Sequence, residues 1–179
     1  MNGYLRKMRG GGQASPGVSL AEVGWSWLGA FAGIGLVGWM FSALADRLDA
    51  LILIGSFGAS AVLLYGAPKS PLAQPRNLVG GHVFSALVGV AVRTMLPEPV
   101  WLSAGLAVAT AIALMHLTRT LHPPGGATAL IAVTGGAKIN ALGFGYALAP
   151  AGAGAGLLLA VALLVNNAAK NRRYPEYWW

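Results

Sequence analysis

Apolar residues run along this chain in long blocks rather than in the alternating or three-to-four spacing of half-buried elements. Four blocks stand out, at residues 25–45, 78–96, 100–118 and 141–165. Each is close to or beyond the roughly 20 residues that take a helix across a bilayer. Trp25, Trp27, Trp101, Trp178 and Trp179 fall at or near block ends, where an interfacial aromatic belt would put them. Two weaker blocks lie between the strong ones. Residues 51–66 are interrupted by Gly55, Ser56 and Gly58, and residues 121–135 by Pro123, Pro124, Gly125 and Gly126. The pattern predicts an all-α polytopic membrane helix bundle of four strong spans plus two broken or short segments.

The two weak blocks resemble each other. Gly58-Ala59-Ser60-Ala61-Val62-Leu63 aligns with Gly126-Ala127-Thr128-Ala129-Leu130-Ile131, 68 residues further on. Each copy sits between two strong blocks, so the chain reads as two halves, each strong–broken–strong. Basic residues then test whether the broken blocks cross, because loops on the cytoplasmic side collect Lys and Arg. With all six blocks crossing, one side holds Arg6, Lys7, Arg9, Lys69, Arg76, Arg119, Lys170, Arg172 and Arg173, and the other only Arg47 and Lys138. Models in which the broken blocks do not cross lose that bias. Three crossings per half is an odd number, so the expectation is two inverted three-segment repeats. Both termini are then cytoplasmic, in a multi-pass protein of the cell (inner) membrane.

Composition agrees with the patterning. Of 179 residues 56% are hydrophobic and 9% charged, against roughly 25% charged in a soluble domain. The net charge of +7 lies in termini and short loops, so it reads as topology and not as nucleic-acid binding. With no cysteine there is no disulfide, thiol nucleophile or thiolate metal site. Three regions are expected: a flexible cytoplasmic tail over 1–24, without a signal-peptide pattern, a transmembrane domain over 25–166, and a basic, aromatic tail over 167–179.

The broken blocks carry the candidate chemistry. Five extended residues, 121–125, cover about 16 Å, and nine helical ones, 126–134, about 14 Å. Together they approach the roughly 30 Å of the hydrocarbon core, with a helix starting near the midplane. A helix start offers unpaired N–H groups and the positive end of the dipole, a site for a small anion. Pro123 and Pro124 favour that start, Gly125 and Gly126 permit close approach, and Thr128 adds a hydroxyl; Ser56, Gly58 and Ser60 have the same role in the first copy. The competing reading is that these small residues only let helices pack.

His122-Pro123-Pro124-Gly125-Gly126-Ala127-Thr128-Ala129 resembles the signature of the HPP family of multi-span membrane proteins. Gly55-Ser56-Phe57-Gly58-Ala59-Ser60-Ala61-Val62-Leu63-Leu64 and Pro71-Leu72-Ala73-Gln74-Pro75-Arg76-Asn77-Leu78-Val79-Gly80-Gly81-His82 are similar to that family too, in its order. The resemblance implies transport of a small anion, nitrite first, since members in plants and cyanobacteria are associated with nitrite.

Other polar residues are pore or coupling candidates. His82, His116 and His122 lie in or beside apolar blocks, where polar groups are costly and often functional. His122 could donate to an anion or carry a coupling proton; the alternative is a satisfied structural histidine. Three converging histidines would suffice for a metal, but no metal or other cofactor is expected. Arg76 could draw an anion to the pore mouth or simply mark topology, with Asn77 capping a helix from Leu78. Arg93 and Arg119 line a pore or snorkel. Every carboxylate lies outside the blocks, which suits an anion path. The expected partners are a small inorganic anion and the bilayer, without nucleic acid, and self-association is compatible with so small a bundle. A non-catalytic membrane subunit or sensor is the second reading. An intramembrane enzyme is the third, and for it the sequence offers no evident nucleophile–base pair.

Overall fold

The computed structural model describes residues 7–8, 17–42 and 50–179, the side chains of 50–54 excepted. The described residues form helices and turns without a strand. Helix α1 is Leu20–Ser42, and α2 is Ala50–Ala61, running on as a π turn over Val62–Gly66. A 3-10 turn at Pro71–Ala73 leads into α3, Pro75–Met95. Then follow α4 at Val100–Leu117, α5 at Pro123–Thr134 and the short α6 at Ala137–Ala141. A π turn over Ala147–Gly152 opens α7, Ala153–Ala168.

Among the described residues four stretches are long and apolar enough to cross a membrane: Leu20–Ser42, Pro75–Met95, Val100–Leu117 and Ala147–Ala168. They match the four strong blocks with shifted ends. Helix α1 begins at Leu20 rather than Trp25, with Ser19 accepting from the Glu22 N–H in its first turn. The last stretch begins at Ala147, six residues later than expected, because α6 and a turn occupy the start of that block. Residues 43–45, Arg6, Arg9, Asp46, Arg47 and Asp49, and most of the expected N-terminal tail, lie outside the described residues.

Side-chain contacts show how the helices run. At one end of the bundle Arg172 pairs with Glu22 at 2.8 Å and donates to the Tyr65 carbonyl. Tyr174 donates to the Ala73 carbonyl, Arg76 to that of Thr118 and Asn77 to that of Leu121. The start of α1, the end of α2, the start of α3, the end of α4 and the end of α7 therefore share this near end. At the far end Arg93 donates to the Val133 carbonyl, so α3 and α5 finish together. Helix direction thus alternates through α1, α2, α3, α4, α5 and α7.

Large apolar side chains face outward along the spans, among them Phe31, Trp39, Leu106, Ile112 and Leu164. That is the surface of a protein solvated by lipid. Inside, small residues bring backbones together, the usual device where lipid and core are equally apolar. A Cβ on Gly89 would stand 2.6 Å from the Ala129 carbonyl oxygen, and one on Gly125 2.7 Å from that of Gly81. Helices α3 and α5 are in near backbone contact along this seam.

Three expectations are corrected. The first broken block is not broken: Ser56, Gly58 and Ser60 lie inside a continuous helix, so no helix start stands there to take an anion. Ser60 Oγ lies 3.2 Å from the Ser56 carbonyl oxygen, the spacing by which a serine is accommodated inside a helix. Second, α3 starts at Pro75, because proline suits the first helical position, and Asn77 binds the Leu121 carbonyl instead of capping. Third, the C-terminal segment packs as part of the bundle. Arg172 and Tyr174 are buried there: Arg172 donates to the Glu22 carboxylate and carbonyl, the Tyr65 carbonyl and the Asn166 side chain, and Tyr174 to the Ala73 carbonyl of the 3-10 turn.

A buried histidine pair at the start of the fifth helix

Two imidazoles meet inside the bundle. His82, on the second turn of α3, and His122, the residue before α5, have ring centroids 5.2 Å apart. Both are 0% exposed. Gly81 makes the approach possible, since a Cβ there would lie 2.5 Å from the His122 Cβ. Gly81 is six residues into α3, so α5 starts about 9 Å in from the near end. That is within about 6 Å of the middle of α3.

Ser60 of α2 stands between the rings. Its Oγ lies 2.8 Å from His82 Nε2 and 2.9 Å from His122 Nε2. Beyond the rings, His82 Nδ1 is 2.7 Å from Thr128 Oγ1, and His122 Nδ1 is 2.8 Å from the Leu72 carbonyl oxygen. Tyr146, just before α7, donates to the Thr128 carbonyl, and the Phe57 ring packs on His82 with centroids 5.1 Å apart. Ser56 is buried one turn before Ser60. Five parts of the fold thus converge on one polar chain: α2, the 3-10 turn, α3, the start of α5 and the turn into α7.

The chain contains no charged side chain. Its polar atoms are matched among themselves and with backbone carbonyls, as burial in low dielectric demands. Among the described residues, no buried side-chain nitrogen or oxygen lacks a partner. The first turn of α5 offers fewer free donors than a helix start ordinarily does. Pro123 and Pro124 have no N–H, and the Gly125 N–H binds the His122 carbonyl. The donors at this depth are therefore imidazoles and hydroxyls.

Of the residues singled out in the sequence, the structure assembles Ser60, His82, His122 and Thr128, with Ser56 beside them and Pro123, Pro124, Gly125 and Gly126 forming the turn behind. It leaves the others outside. His116 is exposed on α4, so the three histidines do not converge. Arg119 is exposed and holds a positive φ of 57° just past α4. Arg76 donates to the Thr118 carbonyl at 2.6 Å and lines a groove of about 490 Å³ with Thr120, Trp178 and Trp179. Tyr146 and the Leu72 carbonyl were missed; a tyrosine inside an apolar block is a faint signal, and a carbonyl leaves none. One further reading changes. Ser60 and His122 are within the reach of a nucleophile–base pair, which nothing in their spacing along the chain discloses.

A bundle with lipid-facing helices and a sealed polar chain at its centre defines a multi-pass membrane protein with a built internal site. The model of the HPP transmembrane region matches residues 15–175, and this chain belongs to that family. Two curated transmembrane proteins of Dictyostelium discoideum are each 46% identical to it over 98% of its length. The chain spans 57% of one and 63% of the other. No solved structure matches it.

Proposed function

We infer that the protein is a membrane transporter or channel for a small inorganic anion, with nitrite the first candidate from the HPP resemblance. One observation carries the reading: Ser60, His82, His122 and Thr128 form a sealed chain of hydrogen-bonding groups, without a carboxylate, within a lipid-facing bundle. Uncharged donors at mid-bundle suit an anion, and a carboxylate there would repel one. The anion-binding groups are the imidazoles and hydroxyls at the start of α5, with Gly125 and Gly126 keeping the backbone close. The alternating helix directions support two inverted halves, in which Ser60 and Thr128, equivalent in the repeat, flank His82. Lys69, Arg76, Arg119, Lys170 and Arg173 gather at the near end, which supports a cytoplasmic near end with both termini on that side.

Transport is preferred to catalysis because Ser60 is held by two imidazoles at once and the pair is fully buried. The test is nitrite flux into liposomes holding the purified protein, with chloride and formate as competitors. Wild type should move nitrite, and His122→Ala and Thr128→Val should lose most of the flux while staying folded. A folded wild type that moves no anion would put the non-catalytic subunit or sensor reading first.

A further inference from the structure

The polarity of the buried chain follows from its chemistry. A carbonyl oxygen only accepts, so His122 Nδ1 carries a proton toward Leu72. In a neutral imidazole Nε2 is then an acceptor, and Ser60 must donate to it. Ser60 has one proton, so its bond to His82 requires the proton on His82 Nε2. His82 Nδ1 is therefore an acceptor, and Thr128 donates to it. Every donor points the same way: Thr128 to His82, His82 to Ser60, Ser60 to His122, His122 to the Leu72 carbonyl.

We propose that these four side chains are a proton relay, running from Thr128 Oγ1 in the middle of the bundle to His122 beside the near-end turn. When the sealed site opens, a hydronium, or the protonated form of a weak oxyacid, gives its proton to Thr128 Oγ1. The original Thr128 proton passes to His82 Nδ1. His82 Nε2 hands its proton to Ser60 Oγ, and Ser60 hands its own to His122 Nε2. Four bonds to hydrogen form and four break, and the net change is one proton moved from the donor to His122. Within the four relay side chains no non-hydrogen atom has to move. The finished state is also fully bonded: His122 Nε2 donates to Ser60, Ser60 to His82 Nε2, His82 Nδ1 to Thr128, and Thr128 to the Pro124 carbonyl 3.4 Å away.

The groups on the pair are Phe57 and Ser60 from α2, Thr128 from α5 and the Leu72 carbonyl, with Ser56 one turn before Ser60 and Tyr146 bonded to the Thr128 carbonyl. None of them is charged at neutral pH, so none of these groups is a counter-ion for an imidazolium at His122. A co-transported anion would supply one. The relay stands whatever the identity of that anion.

The test is nitrogen NMR of histidine-labelled full-length protein in lipid nanodiscs, titrated from pH 8 to about pH 4.5, across the range where imidazoles change charge. The exposed His116 serves as internal reference. At high pH His122 should carry only the Nδ1 proton and His82 only the Nε2 proton. On acidification His122 should become doubly protonated, and His82 should switch to the Nδ1 tautomer at the same midpoint. Ser60→Ala should abolish that switch and Ser60→Thr should keep it. If the alanine variant does not fold, the wild-type tautomers decide alone. Ser60 can instead turn its proton to the Ser56 carbonyl. His122 would then charge while His82 stays in the Nε2 form, and that result overturns the relay. So does a His122 that takes no proton across the titration. Tautomer switching in a protein that moves no nitrite would sink only the anion reading, and nitrite flux without switching would sink only the relay.

Discussion

Ser60 has a single proton and two imidazoles to satisfy, and this makes it the least replaceable side chain of the site. Removing its hydroxyl leaves Nε2 of both rings without their partner in a place water does not reach. A buried polar group stranded in this way costs about 1–3 kcal/mol. Thr128 stands at the other side of His82 and holds one ring atom. Thr128→Val keeps the shape and strands Nδ1 alone, so its thermal stability in detergent should fall by about 1–3 kcal/mol. Thr128→Ser, which keeps the donor, should lie close to wild type. His122 and Thr128 were legible in the sequence because they surround paired prolines in an apolar block. Ser60 was legible through the matching hexapeptide. Their partnership with His82 was not, since a hydroxyl in a Gly/Ala run looks the same whether it faces lipid, a neighbouring glycine or a ring.

The elements show where local reasoning holds and where packing overrides it. Pro123 and Pro124 start α5 because a proline ring is preset for the first turn and needs no hydrogen-bond partner there. The helix accordingly begins two residues after Leu121, not at Gly126. Gly55 and Gly58 looked like breaks of the same kind in α2, yet the helix continues through them, because glycine weakens a helix by about 1 kcal/mol and does not forbid it. At the end of α2 the carbonyls of Leu64 and Tyr65 are taken up by Asn166, Ser26 and Arg172 from other elements. The seam between α3 and α5 depends on Gly81 and Gly89, where added Cβ atoms would meet His122 and the Ala129 carbonyl. Gly89→Ala should lower thermal stability by about 1–3 kcal/mol through backbone clash. Gly81→Ala should do the same and also displace His122, so that nitrite flux falls further than with Gly89→Ala.

Across the whole molecule the bundle has two chemically different ends. The near end carries most of the basic loop residues together with the Arg172–Glu22 pair, and the far end carries Lys138 and Arg93. The chain has no cysteine, so single introduced thiols report sidedness directly. In intact cells Lys138→Cys should react with a membrane-impermeant maleimide. Asn171→Cys should react only after the membrane is opened. The reverse labelling would turn the bundle over.

Apolar blocks, their lengths, the interfacial tryptophans and the basic loops are local properties, and they sufficed for the membrane class and the four spans; the family resemblance rested on three short motifs. Hydropathy reads one stretch of chain against its solvent, and for a lipid-facing helix that is most of the energy. The site is a different kind of fact. Ser60 and His122 are 62 residues apart, and His82 and Thr128 are 46 apart. They meet only because the small residues of α3 and α5 allow near backbone contact, and because α2 presents the hydroxyl-bearing side of an unbroken helix to both rings. Helix rotation and close approach of this kind arise from packing between segments, which the order of residues within any one segment does not contain.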